Sequence, residues 1–508
     1  MRTLDNAADV DKFRSLILAR LGLNFDETKF GFLAEVIQTR LQETRLSPSD
    51  YLHRLENSGA ESELSSLATK LTVPETYFFR NKDQFRALRE AAIPKRTLAR
   101  GDTRIMNVLS AGCASGEEPY SLAMTLMGMM DPSWNWTVRA IDINTNVLKK
   151  ARRGRYTTWA LRETSDEDVR RWFRQEEKDY VLDERVRKSV AFQECNLMAD
   201  NFDVWEQARY DIIFCRNVLM YFSPEQARKV VAKIAHALTP GGFLFLGHAE
   251  TLRGLSEEFH LRHTHDAFYY ERKQAGETVS AAAFAAFPAY TAPPVPAPSL
   301  SEDWIQSIHR ASERVQALST HTDAPPTAVS APPPLPPLPR KAPDMTPVFA
   351  MIHSDRFADA LDFLAALPNE VSNDPDVLLV QAMLLAHSGK TKDAETVCER
   401  LLAIDEMSAS AHHVLALCRE SAADIPKAME HDRIAAYLDP TFAMPHLHMG
   451  LMGRRTGNRE LARRELAHAL QLLKHEDGAR LMLFGGGFNR QSMIELCASA
   501  LKDCGGQP

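Results

Sequence analysis

The sequence lacks three features that would assign it to common classes of protein. Its seven cysteines are scattered through 508 residues without paired spacing, which excludes a disulfide framework and a cysteine-based zinc site, so no metal is expected. No stretch approaches the roughly 20 apolar residues of a membrane helix, and the N-terminus lacks a signal-peptide pattern. The net charge of −7 gives no reason to expect a nucleic-acid partner. We therefore expect a cytoplasmic protein with reduced thiols that does not insert directly into a membrane.

The N-terminal region, residues 1–90, is predicted to form a small helical domain. Apolar residues recur at helical spacing over residues 10–21 and again over residues 30–41, as on the buried face of a helix. Ser47-Pro48-Ser49-Asp50 then has the composition of a helix start. Three arginines on this bundle leave two interpretations open, a solvated face or a basic surface for an acidic protein substrate: Arg40, Arg45 and Arg54.

The segment Leu71–Asn81 also leaves two interpretations open. It holds three consecutive aromatic residues, Tyr77-Phe78-Phe79, flanked by Thr76 and Arg80. The aromatic cluster is compatible with plain core packing. Its position just upstream of a glycine-rich turn is equally compatible with a lid that folds over a ligand.

The stretch Arg104–Tyr120 organises the rest of the chain. The apolar run Ile105–Leu109 is followed by a series of small residues and then by a helical segment that begins at Glu117-Glu118. This order predicts the first βα unit of a nucleotide-binding type of fold. The two carboxylates would repel a phosphate at the helix N-terminus, which disfavours a nicotinamide dehydrogenase. A ligand with cationic and hydroxyl groups, such as S-adenosylmethionine, fits better.

Later strands supply further candidate residues. Residues 136–144 read as a second strand, and Asp142 near its end follows Gly116 at close to the separation expected for an acid that hydrogen-bonds ribose hydroxyls. The buried run 210–218 ends in polar residues, which is where open α/β sheets bind ligands. Thr239-Pro240-Gly241-Gly242 reads as a turn before the next strand, and His248 after that strand is either a catalytic base or a structural residue.

The charged, alternating residues 156–190 interrupt the βα order and predict a helix with a small antiparallel insertion. Residues 273–346 are rich in Pro and Ala and predict a linker, with one possible short helix at Asp303–Leu318.

Residues 347–508 are predicted to be a repeat domain. Four alanines recur at one constant spacing, Ala360, Ala394, Ala428 and Ala462. Their period is the length of a tetratricopeptide repeat, about 34 residues. We expect three good repeats, a weaker first one and a C-terminal cap containing Ser492–Leu501.

Residues 8–272 resemble the CheR-type chemoreceptor glutamate methyltransferases. The resemblance rests on ETYFFRN, SAGCASGEEPYSLAM, AIDINTNVLKKARRGRY, CNLM, IFCRNVLMYF and LFLGHAE, which occur in that order. It implies a multidomain protein with an α-helical N-terminal domain (1–90) and an α/β class I, Rossmann-like methyltransferase domain (91–272) with a small antiparallel β insertion. The linker and an all-α tetratricopeptide repeat domain would follow, as in some members of the family.

The resemblance also implies the roles of individual residues. S-adenosylmethionine, which leaves as S-adenosylhomocysteine, would be contacted by Thr76, Arg80, Glu117, Glu118, Asp142, Asn196, Leu197, Arg216 and Asn217. Tyr221 would border the methyl-transfer site, with Arg80 opposite. Pro74 stands where the family usually has an asparagine that contacts the cofactor, so weaker cofactor binding is expected because proline offers neither a polar side chain nor an N–H.

The implied activity is methylation of glutamate carboxylates on cytoplasmic helices of a methyl-accepting chemoreceptor, which would recruit the enzyme to membrane receptor arrays. A glutamate carboxylate, with a pKa of roughly 4.3, is already a nucleophile at neutral pH. That agrees with the absence of a convincing Ser/His/Asp or paired-acid arrangement in the sequence. A small-molecule methyltransferase and a non-catalytic scaffold are the alternatives. In each case the repeats would bind a signalling protein or a peptide.

Overall fold

The structure is a computed structural model that describes residues 7–26, 29–57, 60–72, 75–248, 250–264, 267–274, 345–353, 356–485 and 488–505. The chain divides into two compact units, Met1–Glu277 and Thr278–Pro508, and each is described by itself. The expectations for Pro74, for most of the linker and for the helix Asp303–Leu318 lie outside the described residues. The domain boundaries at residues 90, 272 and 346 stay predictions.

Four helices open the first unit. They are α1 (Ala7–Leu21), α2 (Phe30–Thr44), α3 (Pro48–Glu56) and α4 (Glu61–Leu71). Helix α3 begins where the sequence predicts, because Ser47 Oγ accepts a hydrogen bond from the backbone N–H of Asp50 at 3.2 Å and satisfies a donor that the first turn leaves free. The predicted apolar faces meet in one core, in which Phe13 and Leu33 are fully buried.

Arg40 departs from both interpretations of the three arginines, whereas Arg45 and Arg54 are exposed. Its guanidinium donates two hydrogen bonds to the Glu63 carboxylate, at 2.8 and 2.6 Å, and the Tyr51 hydroxyl donates to the same carboxylate at 2.7 Å. Glu63 and Tyr51 are buried. Arg40 therefore links α2, α3 and α4, and for this residue a solvated face and a free basic surface are both wrong. The spacing of charges along the chain does not reveal a partner that lies two helices further on.

The rest of the first unit is built on two sheets. The helices are α5 (Lys82–Ala87), continued by a π-helical turn (Leu88–Ala92), α6 (Ile93–Ala99), α7 (Glu117–Met129), α8 (Thr145–Arg153), α9 (Asp166–Trp172), α10 (Glu184–Lys188) and α11 (Pro224–Ala237). The strands are β1 (Ile105–Ala111), β2 (Asn135–Asp142), β3 (Arg155–Thr157), β4 (Phe173–Glu176), β5 (Asp179–Leu182), β6 (Val190–Glu194), β7 (Tyr210–Cys215), β8 (Leu238–Leu246), β9 (Phe259–Thr264) and β10 (Ala267–Arg272).

Seven strands form the main sheet, in the order β6-β2-β1-β7-β8-β10-β9. The first five are parallel, and β10 runs antiparallel to both β8 and β9. The chain moves outward from β1 to β2 and β6, then returns to the other side of β1 as β7. Connections therefore leave in opposite directions on either side of β1, which opens a crevice at the carboxyl ends of β1 and β7.

The predicted insertion is confirmed as a separate antiparallel sheet with strand order β3-β5-β4. The predicted turn Thr239–Gly242 is only partly right, because these residues belong to β8. Tyr210 pairs with Leu238 and Ile212 pairs with Phe243, so the extra residues of β8 bulge out of the ladder. Gly241 has a φ of +69°, and a Cβ on Gly242 would lie 2.8 Å from the Thr239 carbonyl oxygen. The residues with turn-forming composition thus form a β-bulge within β8.

The second unit is all-helical over its described residues. Its helices are α12 (Thr346–His353), α13 (Phe357–Ala365), α14 (Asn369–Ser372), α15 (Pro375–His387), α16 (Thr391–Ile404), α17 (Ala409–Ser421), α18 (Ile425–Leu438), α19 (Ala443–Arg455), α20 (Arg459–Leu473), α21 (Gly478–Phe484) and α22 (Arg490–Asp503). Helices α15 to α20 form three pairs of long helices, with 13 to 15 residues each, whereas α12 and α13 have 8 and 9 residues.

Small residues that share the repeat period lie where paired helices cross. The four alanines at this period are fully buried. A Cβ on Gly450 in α19 would lie 2.7 Å from Leu466 Cγ in α20, so the crossing admits only a hydrogen atom at this point. The predicted fold class is confirmed: an N-terminal helical region, a Rossmann-like α/β methyltransferase fold with a β insertion, and an all-α tetratricopeptide-type region.

Candidate active site

A cavity of about 330 Å³ lies at the carboxyl ends of the central strands of the first unit. Loops after β1, β2, β6 and β7 supply its floor, and residues before α5 and after α1 supply its walls. Among the residues that the sequence predicts for the site, nine line this cavity: Thr76, Arg80, Glu118, Asp142, Asn196, Leu197, Arg216, Asn217 and Tyr221. The crevice at the reversal of strand order thus brings together residues from positions 76 to 221.

Glu117 is the predicted site residue that does not line the cavity. Its buried carboxylate accepts hydrogen bonds from Ser115 Oγ at 3.0 and 2.8 Å, and burial raises its pKa. Consecutive residues of a helix point about 100° apart. When Glu118 faces the cavity, Glu117 must therefore face the protein interior.

The small-residue turn after β1 needs unusual backbone conformations. Gly112 and Gly116 have φ values of +77° and +96°, and Ala114 has +45°. A Cβ on Gly112 would lie 2.4 Å from Val218 Cγ2, so any larger residue would push the loop after β7 away. The glycine is needed to keep the loops after β1 and β7 close to each other at the cavity floor.

Asp142 is fixed at the end of β2 by the backbone. Its carboxylate accepts hydrogen bonds from the N–H groups of Ala114 and Asn144, at 2.9 and 2.8 Å. Burial raises the pKa of this carboxyl, and these backbone donors oppose the increase. The carboxylate is therefore held rigidly at the cavity with lone pairs available to hydroxyl donors.

The buried Arg216 forms an ion pair with the half-buried Glu118 at the cavity. Arg216 Nη1 donates to Glu118 Oε2 at 3.3 Å, and Ser110 Oγ donates to Glu118 Oε1 at 2.7 Å. Burial raises the pKa of Glu118 and lowers the pKa of Arg216, while each charge favours the ionised form of the other. Arg216 Nε is also buried and has no hydrogen-bond partner among the described residues, which is unusual for a native interior.

The segment 75–81 packs into the core and also lines the cavity, while its action as a lid stays a prediction. Phe78 is fully buried and packs edge-on against Tyr156 and Phe173, with ring centroids 4.8 and 5.0 Å apart. Thr76 and Arg80 instead line the cavity. The aromatic core contacts thereby fix the backbone that carries the two polar side chains.

Further contacts hold Arg80 in place. The Arg216 guanidinium donates through Nη2 to the Arg80 carbonyl oxygen at 2.7 Å, and Arg80 Nη1 donates to the Glu75 carbonyl oxygen at 2.9 Å. The Arg80 guanidinium carbon lies 5.6 Å from the centre of the Tyr77 ring. The charge is thus placed at the edge of the cavity by backbone and aromatic neighbours.

The N-terminal helices complete the wall near Tyr221. The Tyr221 carbonyl oxygen accepts a hydrogen bond from the N–H of Asn24 at 2.7 Å, and Leu23 forms an isolated antiparallel bridge with Phe222. Asn196 Nδ2 donates to the Arg20 carbonyl oxygen at 3.2 Å. Leu21 and Leu23 also line the cavity. This contribution from α1 is absent from the sequence-based prediction, because the contacts join residues that are far apart in the chain.

Glu250 is a buried residue that the sequence analysis missed. Its carboxylate accepts hydrogen bonds from the backbone N–H groups of Asn217, Val218, Met220 and Gly247, at 2.7, 2.8, 3.3 and 2.7 Å. It thereby fixes the loop after β7 that carries Arg216 and Asn217. The neighbouring His248 is exposed. The signal in the sequence that could have located Glu250 is a carboxylate shortly after a glycine, Gly247, at the end of a strand.

The groups at the cavity fit S-adenosylmethionine. Asp142 offers a carboxylate to ribose hydroxyls, and Glu118 offers negative charge to an ammonium or a sulfonium. The Nε of Arg216, which has no hydrogen-bond partner among the described residues, is a donor suited to a carboxylate. Leu21, Leu23 and Leu197 offer apolar surface for a flat base. The cavity therefore offers a suitable group for each polar part of such a ligand.

The second unit has a cavity of about 120 Å³ with a mostly apolar lining that includes Met444, Leu447 and Phe484. Beside it, the buried Asp432 accepts hydrogen bonds from His413 Nδ1 at 2.7 Å and from His448 Nδ1 at 2.5 Å. Zinc bound tetrahedrally would keep its ligand atoms about 3.3 Å apart. The observed separations are hydrogen-bond lengths, so these side chains form a hydrogen-bonded network between α17, α18 and α19.

No helix within the described residues combines the length and the apolar character that a membrane crossing needs.

A family model described as "CheR methyltransferase, SAM binding domain" matches residues 74–268. The match covers the insertion, the main sheet as far as the start of β10, and every predicted site residue. A chain described as "Chemotaxis protein methyltransferase 2" from Vibrio cholerae is 30% identical over 274 residues, which are 53% of this chain and 94% of the relative.

A second relative is similar over both units. "Probable biofilm formation methyltransferase WspC" from Pseudomonas aeruginosa is 27% identical over 468 residues, which are 89% of this chain and 96% of the relative. Among solved structures, the type III secretion translocator chaperone SycD of Yersinia enterocolitica matches 29% of this chain and 91% of its own, with a TM-score of 0.23 and 17% identity.

Proposed function

Because the chain belongs to the CheR family of S-adenosylmethionine-dependent methyltransferases, we propose that it methylates glutamate side chains of a methyl-accepting chemoreceptor and thereby sets receptor adaptation. The observation that carries this proposal is the position of Arg80. A cation and the Tyr221 side chain border the same cavity as the acidic groups that fit the cofactor. An anionic acceptor can therefore approach a cationic methyl donor at this point.

The chemistry requires alignment more than proton transfer. S-adenosylmethionine supplies an activated methyl group on a positively charged sulfur. A glutamate carboxylate with a pKa of roughly 4.3 is ionised at neutral pH and needs no base. Arg80 would hold one carboxylate oxygen, and Tyr221 would orient the other by a hydrogen bond. Positioning of this kind supplies on the order of 7–11 kcal/mol.

The remaining site residues would bind the cofactor. Asp142 would hold the ribose hydroxyls, and Glu118 with Arg216 would hold the methionine part. Asn196 and Leu197 would flank the adenine, while Thr76 and Asn217 would close the site. Glu250 would act indirectly, by fixing the loop that carries Arg216 and Asn217.

The repeat unit would bind a protein partner of the same pathway. Its helix pairs and its apolar cavity support protein contacts. Relatives similar over both units are described as probable biofilm formation methyltransferases. A pathway that controls surface growth is therefore a candidate output beside chemotaxis.

The test is transfer of label from S-adenosylmethionine. Membranes from a strain lacking this enzyme would be incubated with purified protein and methyl-labelled cofactor. We expect label in a receptor-sized protein, released by mild base as expected for a glutamyl ester. Label found only in small molecules would favour a small-molecule methyltransferase. Tight cofactor binding without any transfer would favour a scaffold.

A further inference from the structure

Besides the guanidinium of Arg80, a second guanidinium lies at the Tyr77 ring. The guanidinium carbon of Arg162 is 3.6 Å from the centre of this ring, and that of Arg80 is 5.6 Å from it. Arg162 comes from the β insertion, directly after the 3-10 helix Thr158–Leu161. Two positive charges from different parts of the chain are thus held at one aromatic ring beside the cavity.

Neither of these arginines forms an ion pair with a carboxylate among the described residues. Other arginines of the same insertion do: Arg155 and Arg174 pair with Glu176 at 2.8 and 2.5 Å, and Arg185 pairs with Asp183 at 2.9 Å. Burial, together with the charge of the nearby Glu163, raises the pKa of the Tyr77 hydroxyl. Both guanidinium carbons lie within 6 Å of the centre of one ring, so the two positive charges repel each other and an external anion would relieve that repulsion.

The surface next to Arg162 is partly apolar and is fixed in place. The Arg162 guanidinium also stacks on Trp159 at 4.2 Å and donates through Nη1 to the Trp159 carbonyl oxygen at 2.8 Å. The Trp159 side chain is 67% exposed. The Phe78 N–H donates to the Ala160 carbonyl oxygen at 2.9 Å, which ties this surface to the segment that carries Arg80.

We propose that Arg162 and Trp159 form a docking subsite for the acceptor helix, in which Arg162 pairs with a second carboxylate one helical turn from the acceptor glutamate. The inference rests on the proposed function and adds a specificity-determining residue to it. Side chains three or four positions apart on a helix have Cβ atoms about 5–6 Å apart. Two carboxylates with this spacing can reach both guanidiniums, and Trp159 can contact the apolar surface between them. Stacking on the two rings also leaves the edge of the Arg162 guanidinium open to a bidentate pair.

The experiment uses the full chain and the protein labelled in the membrane assay. Variants of that acceptor would have each acidic residue three or four positions from the methylated glutamate changed to Gln. With the natural acceptor, we expect Arg162→Gln to raise the acceptor KM by about fivefold and to leave kcat unchanged, which is the scale of one partly exposed ion pair. Removing the second carboxylate should raise the KM of the unchanged enzyme equally. Combining both changes should add nothing further. Arg162→Lys should restore part of the loss.

Arg174→Gln is the matched control, because it removes another arginine of the insertion that already has an acidic partner; it should leave the acceptor KM unchanged. Additive effects of Arg162→Gln and the acceptor change would overturn the proposal. So would a lower kcat or a weaker cofactor affinity in Arg162→Gln, because Arg162 would then act only by supporting Tyr77. If a protein is methylated but its KM does not change when the second carboxylate is removed, this inference is wrong and the proposed function is unaffected. Absence of any labelled protein overturns both.

Discussion

Asp142 and Glu118 are half-buried carboxylates at one cavity, yet their hydrogen-bond partners suit them to different ligand groups. Asp142 is held by backbone N–H groups that carry no net charge, so its negative charge remains available to a ligand. Glu118 shares its charge with Arg216. The first is therefore suited to neutral hydroxyl donors, and the second pair is suited to a ligand that carries both an ammonium and a carboxylate.

Asp142→Ala should mainly weaken cofactor binding. A hydrogen bond to a charged group contributes about 1.5–3 kcal/mol, so the dissociation constant for S-adenosylmethionine should rise by roughly tenfold to a hundredfold. Isothermal titration calorimetry measures this directly. Asp131→Ala, in an exposed loop, is the control and should bind normally. Unchanged affinity in Asp142→Ala would remove Asp142 from the cofactor site.

Arg80→Ala should lower turnover by about 100-fold or more, the scale of losing a positioning group. Because Arg80 is expected to hold the acceptor, the loss in kcat with labelled cofactor should exceed any loss in cofactor affinity. Arg86→Ala is a suitable control, since Arg86 is exposed in the next helix and pairs with Glu90. Normal turnover in Arg80→Ala would exclude this residue from catalysis.

Only part of this residue-scale arrangement could be predicted. Motifs locate the loops after each strand, and nine of the residues predicted for the site do line one cavity. The contrast between Glu117 and Glu118 depends on how α7 is rotated against the sheet. The partnership of Glu250 with the loop after β7 depends on two loops meeting. Neither property is encoded in local spacing.

At the scale of helices and turns, three of the repeats need a left-handed backbone conformation at the same position, in the turn between their paired helices. Gly389 and Gly457 have φ values of +73° and +77° between paired helices, and Ala423 occupies the corresponding position with a φ of +60°. The left-handed conformation is free for glycine but costs other residues roughly 1–2 kcal/mol. The turn between α17 and α18 is therefore strained.

Ala423→Gly should stabilise the second unit by about 1 kcal/mol, since it removes this strain. Calorimetric unfolding of the full chain would show a higher midpoint for the transition of the repeat unit. Gly457→Ala is the reverse control: a Cβ there meets nothing nearby, so its expected loss of about 1 kcal/mol reflects backbone strain alone. A lower midpoint for Ala423→Gly would contradict the interpretation.

The second element-scale prediction concerns pH. His412 in α17 is buried, and its Nδ1 lies 3.1 Å from His431 Nδ1 in α18. Burial, together with the charge of His431, lowers the pKa of His412 to about 3. Below a pH of about 6.5, the His412 imidazole therefore binds a proton in the unfolded chain but not in the folded chain. The second unit should lose about 2 kcal/mol from this group between about pH 7 and about pH 5.

Hydrogen–deuterium exchange of α17 and α18 at both pH values measures this loss. His412→Gln should reduce the pH dependence of protection in these helices, whatever its effect on protection at neutral pH. His475→Gln is the control, because His475 is exposed, and it should keep the full dependence. An identical pH dependence in His412→Gln and the unchanged protein would refute the assignment.

At the scale of the whole molecule, all the residues that line the candidate active site lie between Leu21 and Phe222, within the first unit. The Vibrio cholerae relative is matched over 94% of its own length by 274 residues of this chain. A protein of this family can therefore consist of little more than the first unit. The repeat unit would then add partner choice to a complete cofactor site.

A fragment comprising residues 1–274 should consequently bind S-adenosylmethionine as the full chain does. We expect the two dissociation constants to agree within about threefold. Since a tenfold change corresponds to roughly 1.4 kcal/mol, this is a difference of less than about 1 kcal/mol in binding free energy. Calorimetry on the fragment and on the full chain gives the comparison, and circular dichroism verifies that the fragment is folded. A folded fragment with a clearly weaker affinity would show that the repeat unit contributes to the cofactor site.

The sequence by itself determined the fold class, the βα order, the repeat period and the loops that carry the site. Each of these depends on local periodicity or on motifs whose residues are adjacent in the chain. Only the tertiary structure decided that Arg40 is held by Glu63, that Glu118 faces the cavity while Glu117 does not, and that Arg162 and Arg80 share the Tyr77 ring. These partners are chosen by packing, because folding brings together side chains whose separation along the chain carries no signal.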